Sequence, residues 1–267
     1  MSTQNTRNTA SARSSGSAEP ILRTENVRKE FGSLVAVDGV SLEFYDDEIV
    51  GIIGPNGAGK TTFTNLLSGA LSLTDGTIVF DGDDISDLRR YKRVRRGLVR
   101  SFQIPQIYDE LTVFENVQAS VLSRKGENNR LFTLTHRDSD SVEETERLLE
   151  MFNLEAHADE HTEHLPHGVR KILDVAMSFA LRPKLMVLDE PTSGVGSREK
   201  NAVMETITDA AVERNIGLIF IEHDMELIRT YSDRIVALHE GRVLADDDPA
   251  AVMNSEEVNQ FILEGGV

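Results

Sequence analysis

The stretch GPNGAGKT, Gly54 to Thr61, fits the pattern G-x-x-x-x-G-K-[ST] between a short apolar run and a helix-like segment. Glycines at that spacing let successive backbone N–H groups turn inward around a phosphate, and the helix N-terminus that follows adds a favourable dipole. Gly54, Pro55, Asn56, Gly57, Ala58 and Gly59 make the cradle, with Lys60, Thr61 and Thr62 at its exit. Lys60 is suited to the β- and γ-phosphates, and the Thr61 hydroxyl to Mg²⁺.

Two further strand ends carry matching chemistry. LMVLDE, Leu185 to Glu190, is an apolar strand with two carboxylates at its C-terminal end. Asp189 is placed to hold the Mg²⁺ shell, and Glu190 to orient or deprotonate an attacking water. IFIEHD, residues 219 to 224, ends another strand with His223, where a γ-phosphate contact is expected. Gln103 ends the extended stretch LVRSFQ, and its amide could touch both Mg²⁺ and water. A strand-end His or Gln alone means little; the order behind a phosphate loop points to nucleotide hydrolysis.

The elements that position these groups follow from periodicity. Strands are expected at 34–46 and 48–53, then a helix from about Lys60 to Gly69. Asp75-Gly76 reads as a hairpin turn before the strand TIVF. Helices are expected at 86–97 and 112–122, with 98–102 extended and 123–141 a polar loop. Helices at 142–153 and 169–181 follow, then strand 184–188, helix 197–214, strand 216–221, a helix and strand 234–238. That final alternation indicates a parallel sheet with crossover helices.

The bulk numbers narrow the function classes. With 267 residues the chain can build a core without staples, and it has no cysteine for disulfides or thiolate metal sites. Asp plus Glu is 45 against 28 Lys plus Arg, a net charge of −17, which argues against a protein held to nucleic acid by phosphate contacts. An acidic chain with few lysines resembles proteins of salt-loving cytoplasms, so the charge reads as solubility. No run of about 18 apolar residues is present, and the first 20 residues, rich in Ser, Thr and Asn, read as a disordered tail without a signal-peptide core. The expected compartment is the cytoplasm.

The order GPNGAGKTT, SFQ, LPHGVRKILDVA, LMVLDEPTSG, IEHD resembles that of an ATP-binding-cassette (ABC) transporter ATPase over about residues 21–263. With RSFQIPQIYDELTVFENV it is most similar to the subunits serving branched-chain amino acids, and nearly as similar to those for urea or short amides. The resemblance implies an α/β P-loop fold at 21–267: a parallel core sheet, an antiparallel β subdomain and an inserted helical subdomain at about 103–181. It implies ATP and Mg²⁺ as ligands, Phe31 stacked on adenine, and Gln103, Glu190 and His223 as the catalytic set. It further implies a dimer, same-chain or with a homologous ATPase, and a transmembrane permease docking near Gln103 to Val117. The subunit would then sit peripherally at the inner face of the cell membrane, as an importer.

LPHGV, Leu165 to Val169, stands where the family signature is usually Leu-Ser-Gly-Gly-Gln. There the helix start, here Pro166, His167 and Gly168, faces the γ-phosphate held by the other subunit. Pro166 suits a helix start but lacks the serine hydroxyl. Gly196 in TSGVG replaces the usual aspartate of the following loop. Two alternatives stay open: a weakly hydrolysing subunit that completes a partner's site, and a soluble ABC protein outside transport. The histidine-rich segment 157–167 reads as a solvated loop, and the basic run 88–100 as a solvated helix face.

Overall fold

The computed structural model describes residues 19–101, 107–126 and 139–263. The expected tail at 1–20 falls almost wholly outside them, as does Gln103. The elements run β1 (Leu22–Phe31), β2 (Leu34–Phe44), β3 (Ile49–Ile53), α1 (Lys60–Ser68), β4 (Asp75–Phe80), β5 (Asp83–Asp84), α2 (Arg90–Arg96) and β6 (Leu98–Arg100). Then come α3 (Val113–Lys125), α4 (Ser139–Met151), α5 (His167–Phe179), β7 (Leu185–Asp189), α6 (Lys200–Glu213) and β8 (Gly217–Ile221). The described chain closes with α7 (Met225–Tyr231), β9 (Arg234–His239), β10 (Arg242–Asp247), α8 (Pro249–Asn254), α9 (Glu256–Val258) and a π-helical turn at Asn259–Leu263.

Two sheets organise these elements. One has the order β10-β9-β3-β8-β7-β6, parallel except for β10; the other is antiparallel, β2-β1-β4-β5. β3, β7 and β8 are buried along their whole length, which is why they read as unbroken apolar runs. Successive side chains still serve opposite faces. Met186 and Leu188 pack with Phe179 and Ile207 of α5 and α6 in one core. Leu185 and Val187 pack with Phe63, Leu66 and Leu67 of α1 and with Phe44 and Phe80 of the antiparallel sheet in the other. Helix α1 is therefore clamped between the sheets, and the loop that starts it is held from both sides. Helices α3, α4 and α5 pack on one another.

Several expectations are corrected. Asp75-Gly76 is no hairpin turn; both residues lie in β4. Gly76 has φ +91, and a Cβ there would sit 2.4 Å from the Asn26 carbonyl, opposite an irregularity in the β1–β4 register. The glycine admits a close backbone approach at a bulge. The hairpin turn lies at Asp81-Gly82, with φ of +53 and +79. The helix expected at 86–97 starts only at Arg90, and α5 starts at His167, not 169. The stretch expected as a polar loop at 123–141 is helical at both ends, in α3 (to Lys125) and in α4 (from Ser139), and its middle lies outside the described residues.

The basic run is not uniformly solvated either. Arg93 is buried and donates to the carbonyls of Leu66 and Leu67 (2.7 Å each), Leu88 (2.9 Å) and Ser86 (2.9 Å). It thus supplies further donors to the carbonyls in the last turn of α1. Burial pushes its guanidinium down to about 10.

Candidate nucleotide site

The phosphate loop leaves β3 under tight backbone constraint. A Cβ on Gly54 would lie 2.3 Å from the Leu238 carbonyl of β9, and one on Gly59 would lie 2.4 Å from the Ala36 carbonyl of β2. Both residues also have positive φ, +154 and +97, so glycine is needed on two counts. Helix α1 begins with no side-chain cap and no acidic residue in its first turn. Its free N–H groups and dipole are left for an anion. Lys60 is nearly buried, and its Nζ donates to the carbonyls of Gly54 (2.6 Å) and Pro55 (3.0 Å). Burial lowers the Lys60 pKa, while Glu190 and Asp189 push it back up.

The carboxylates converge on the same end of the sheet. Asp189, buried at the tip of β7, accepts from Arg100 Nη2 at 2.7 Å, and Arg100 Nη1 donates to Asn65 Oδ1 of α1 at 2.5 Å. The pair joins β6, β7 and α1 just behind the loop. Glu190 sits at φ +50, in the left-handed region, with its N–H on the Ile221 carbonyl at 2.9 Å. A non-glycine residue in that region is held by its surroundings and stores strain. His223 Nε2 lies 3.1 Å from Glu190 Oε1. Glu222, buried one residue earlier, accepts from Thr192 N–H (2.8 Å) and Thr192 Oγ1 (2.7 Å), tying the turn after Glu190 to the end of β8.

A cavity of about 330 Å³ brings together Phe31, Asn56–Thr62, Glu190 and His223, with Leu34 and Ala36 beside Phe31. Phe31 stands at the β1–β2 turn, 47% exposed, with Lys29 Nζ 5.2 Å from its ring centre. Gly54 and Pro55 adjoin through Lys60. Pro166, His167 and Gly168 do not line this cavity. Pro166 takes the N-cap position of α5, outside the helix proper, and offers no side-chain cap. His167 turns inward on its own chain: its Nε2 lies 3.2 Å from the Ser193 carbonyl, and a Cβ on Gly194 would come within 2.6 Å of it. Gly196 faces open space.

Sequence reasoning missed Arg100, Glu222 and Thr192. Arg100 lay beside the SFQ stretch, but nothing in its neighbours marks a pairing with Asp189, 89 residues later. Among the histidines, His157 meets Glu160 at 3.1 Å and His161 the Glu110 carbonyl at 3.1 Å.

A glycine cradle at a helix start, a lysine inside it and a strand-end Asp-Glu beside a histidine define a P-loop nucleotide hydrolase. The chain belongs to the ABC transporter family and is its ATP-hydrolysing subunit: the family model described as ABC transporter matches residues 37–193. It is 34% identical over 246 residues to the high-affinity branched-chain amino acid transport ATP-binding protein BraF of Pseudomonas aeruginosa, covering 90% of this chain and 96% of that one. It is equally 34% identical to the lipopolysaccharide export system ATP-binding protein LptB of Haemophilus influenzae, covering 91% and 97%. The crystal structure of the ADP conformation of MJ1267, an ATP-binding cassette of an ABC transporter, superposes with TM-score 0.79 at 28% identity, covering 91% of this chain and 98% of that one.

Proposed function

We propose that this subunit powers the import of branched-chain amino acids, or of urea or short amides, through a membrane permease, working as one half of an ATPase dimer. The observation that carries the hydrolytic part is the single cavity shared by Phe31, the phosphate loop, Glu190 and His223. In this reading Phe31 stacks on adenine, and Gly54 to Thr62 wrap the phosphates. Glu190 takes a proton from the attacking water, and His223, hydrogen-bonded to it, contacts the γ-phosphate. Thr61 and Asp189 are hard oxygen donors suited to Mg²⁺, joined by Gln103, and the ion would neutralise charge on the β- and γ-phosphate oxygens. Arg100 leaves the second Asp189 oxygen free for that role.

Among the described residues no helix is long and apolar enough to cross a membrane, which fits a subunit attached peripherally to a permease from the cytoplasm. The permease would dock near Gln103 to Val117, and the acidic surface would keep the protein soluble in concentrated salt. Purifying the tagged chain from membranes, identifying the co-purifying permease and measuring ATP-driven leucine and urea uptake tests the reading. Uptake of neither, or ATP-driven efflux, would replace it.

Removing the Phe31 ring should weaken ATP binding and leave the fold intact, because the residue is half exposed at a turn. Stacking on a base is worth about 1–3 kcal/mol, so Phe31→Ala should raise the ATP dissociation constant roughly 5- to 150-fold. A nucleotide titration checks this, and an unchanged affinity moves the adenine contact elsewhere.

Pro166 carries a different expectation. A serine there restores the hydroxyl that would face the partner-bound γ-phosphate, a charged hydrogen bond worth about 1.5–3 kcal/mol. Its N-cap dihedrals, φ −55 and ψ 149, also suit a serine that caps α5 and adds about 1 kcal/mol of stability. Pro166→Ser should raise turnover of the assembled complex while this chain's own ATP affinity stays nearly unchanged. His167, engaged with Ser193, is not free to replace that donor through Nε2. Wild-type turnover in the Pro166→Ser complex would show that the missing hydroxyl does not limit the rate.

A further inference from the structure

A second cavity lies away from the nucleotide site and shares no residue with it. It encloses about 410 Å³ between α4, the turn from α5 into β7, and the turn from α6 into β8. Its floor is apolar: Leu148, Phe179 and Ile216, each less than a tenth exposed. Its rim is cationic, with Arg147, Arg182 and Arg214. In a chain of net charge −17, three guanidinium groups around an apolar hollow are a local reversal of sign.

The one rim carboxylate does not neutralise them all. Both oxygens of Glu144 accept from Arg124 Nη2, at 2.8 and 2.7 Å, and one also accepts from Arg182 Nε at 3.0 Å. Two guanidiniums therefore already share that one carboxylate. Among the described residues Arg147 has only a 3.8 Å pair with Glu143, in which both side chains are more than half exposed. The Arg214 side chain makes no hydrogen bond or ion pair among the described residues. Arg182 is held at φ +53 directly before Pro183, a backbone state that long side chains rarely adopt and that places its guanidinium on this rim.

We infer that this hollow binds a small organic anion, a carboxylate or phosphate monoester carrying a short apolar body. The head would pair with Arg147 and Arg214, whose planar forks match either group, and the body would cover Leu148, Phe179 and Ile216. Arg147 belongs to α4 and Arg214 to the end of α6, so an occupant ties α4 to the sheet and its crossover helix. The ligand thereby bridges helices that follow different strands, stabilising their mutual placement.

The test uses the full chain with saturating ADP, so that the phosphate loop is filled. Octanoate, octyl phosphate and octanol are titrated by calorimetry into the wild type and into the Arg147→Ala/Arg214→Ala double variant. At least one anion should bind the wild type saturably at about 1 mM or below, and at least roughly tenfold more weakly to the variant. Octanol should also bind at least roughly tenfold more weakly. Which head group binds better distinguishes a carboxylate ligand from a phosphate ester. The same anion should raise the wild-type melting temperature and leave that of the variant in place. Absence of saturable binding by both anions, equal binding by the variant, or octanol binding as tightly as the anions would overturn the proposal. If the double alanine variant melts well below wild type, Arg147→Gln/Arg214→Gln gives the same readout with the aliphatic stems retained.

Discussion

Glu190→Gln is expected to bind ATP as tightly as wild type and to hydrolyse it roughly 10²–10⁴-fold more slowly, the range that positioned proton transfer contributes. The substitution keeps the shape and an oxygen for His223, now 3.1 Å from Glu190 Oε1. It leaves the φ of +50 equally demanding, so the fold should not change. What disappears is a carboxylate able to accept a proton from water. With Asp189 on the adjacent position still held by Arg100, the Mg²⁺ shell should remain. ATP would then stay bound and hold two subunits together, visible as a dimer peak in size-exclusion chromatography with ATP and Mg²⁺. Wild-type hydrolysis by the variant would remove Glu190 from the role of general base.

Lys60→Ala should instead abolish tight nucleotide binding. The Lys60 ammonium lies inside the loop on the carbonyls of Gly54 and Pro55, and burial already opposes its charge. An arriving phosphate exchanges those neutral acceptors for anionic ones, each charged hydrogen bond being worth about 1.5–3 kcal/mol. Losing two should weaken ATP binding by at least about a hundredfold. The variant should also melt somewhat lower, since two loop carbonyls lose their donor. Circular dichroism with a nucleotide titration separates the effects. A near-wild-type dissociation constant in a folded variant would place the phosphates outside this loop.

Much of the site was legible because its chemistry needs contiguous backbone. A phosphate cradle requires glycines, a lysine and a hydroxyl within eight residues between strand and helix, and Gly54 to Thr61 can hardly fold otherwise without losing that use. Buried parallel strands such as Leu185–Asp189 and Gly217–Ile221 announce themselves as apolar runs ending in polar groups. The P-loop α/β architecture follows from those signals. Strand β1 was not legible, since its bulge around Asn26, at φ +48, breaks the alternation that marks a strand. Asp75-Gly76 misled for a related reason: a positive-φ glycine serves a bulge as well as a hairpin, and only the partner strand distinguishes them.

Tertiary structure alone decided the contacts made across the chain. Phe31 reaches the phosphate loop because the antiparallel sheet folds over α1. Arg93 and Arg100 look alike in a basic run, yet one caps α1 from the interior and the other holds Asp189. His167 engages the segment after Glu190 rather than projecting freely. Such pairings depend on which surfaces meet, and burial selects among several equally basic or polar side chains only once the sheets have closed on α1. Local sequence therefore determined which chemistry the loops can perform, and packing determined which distant residues aim and support it.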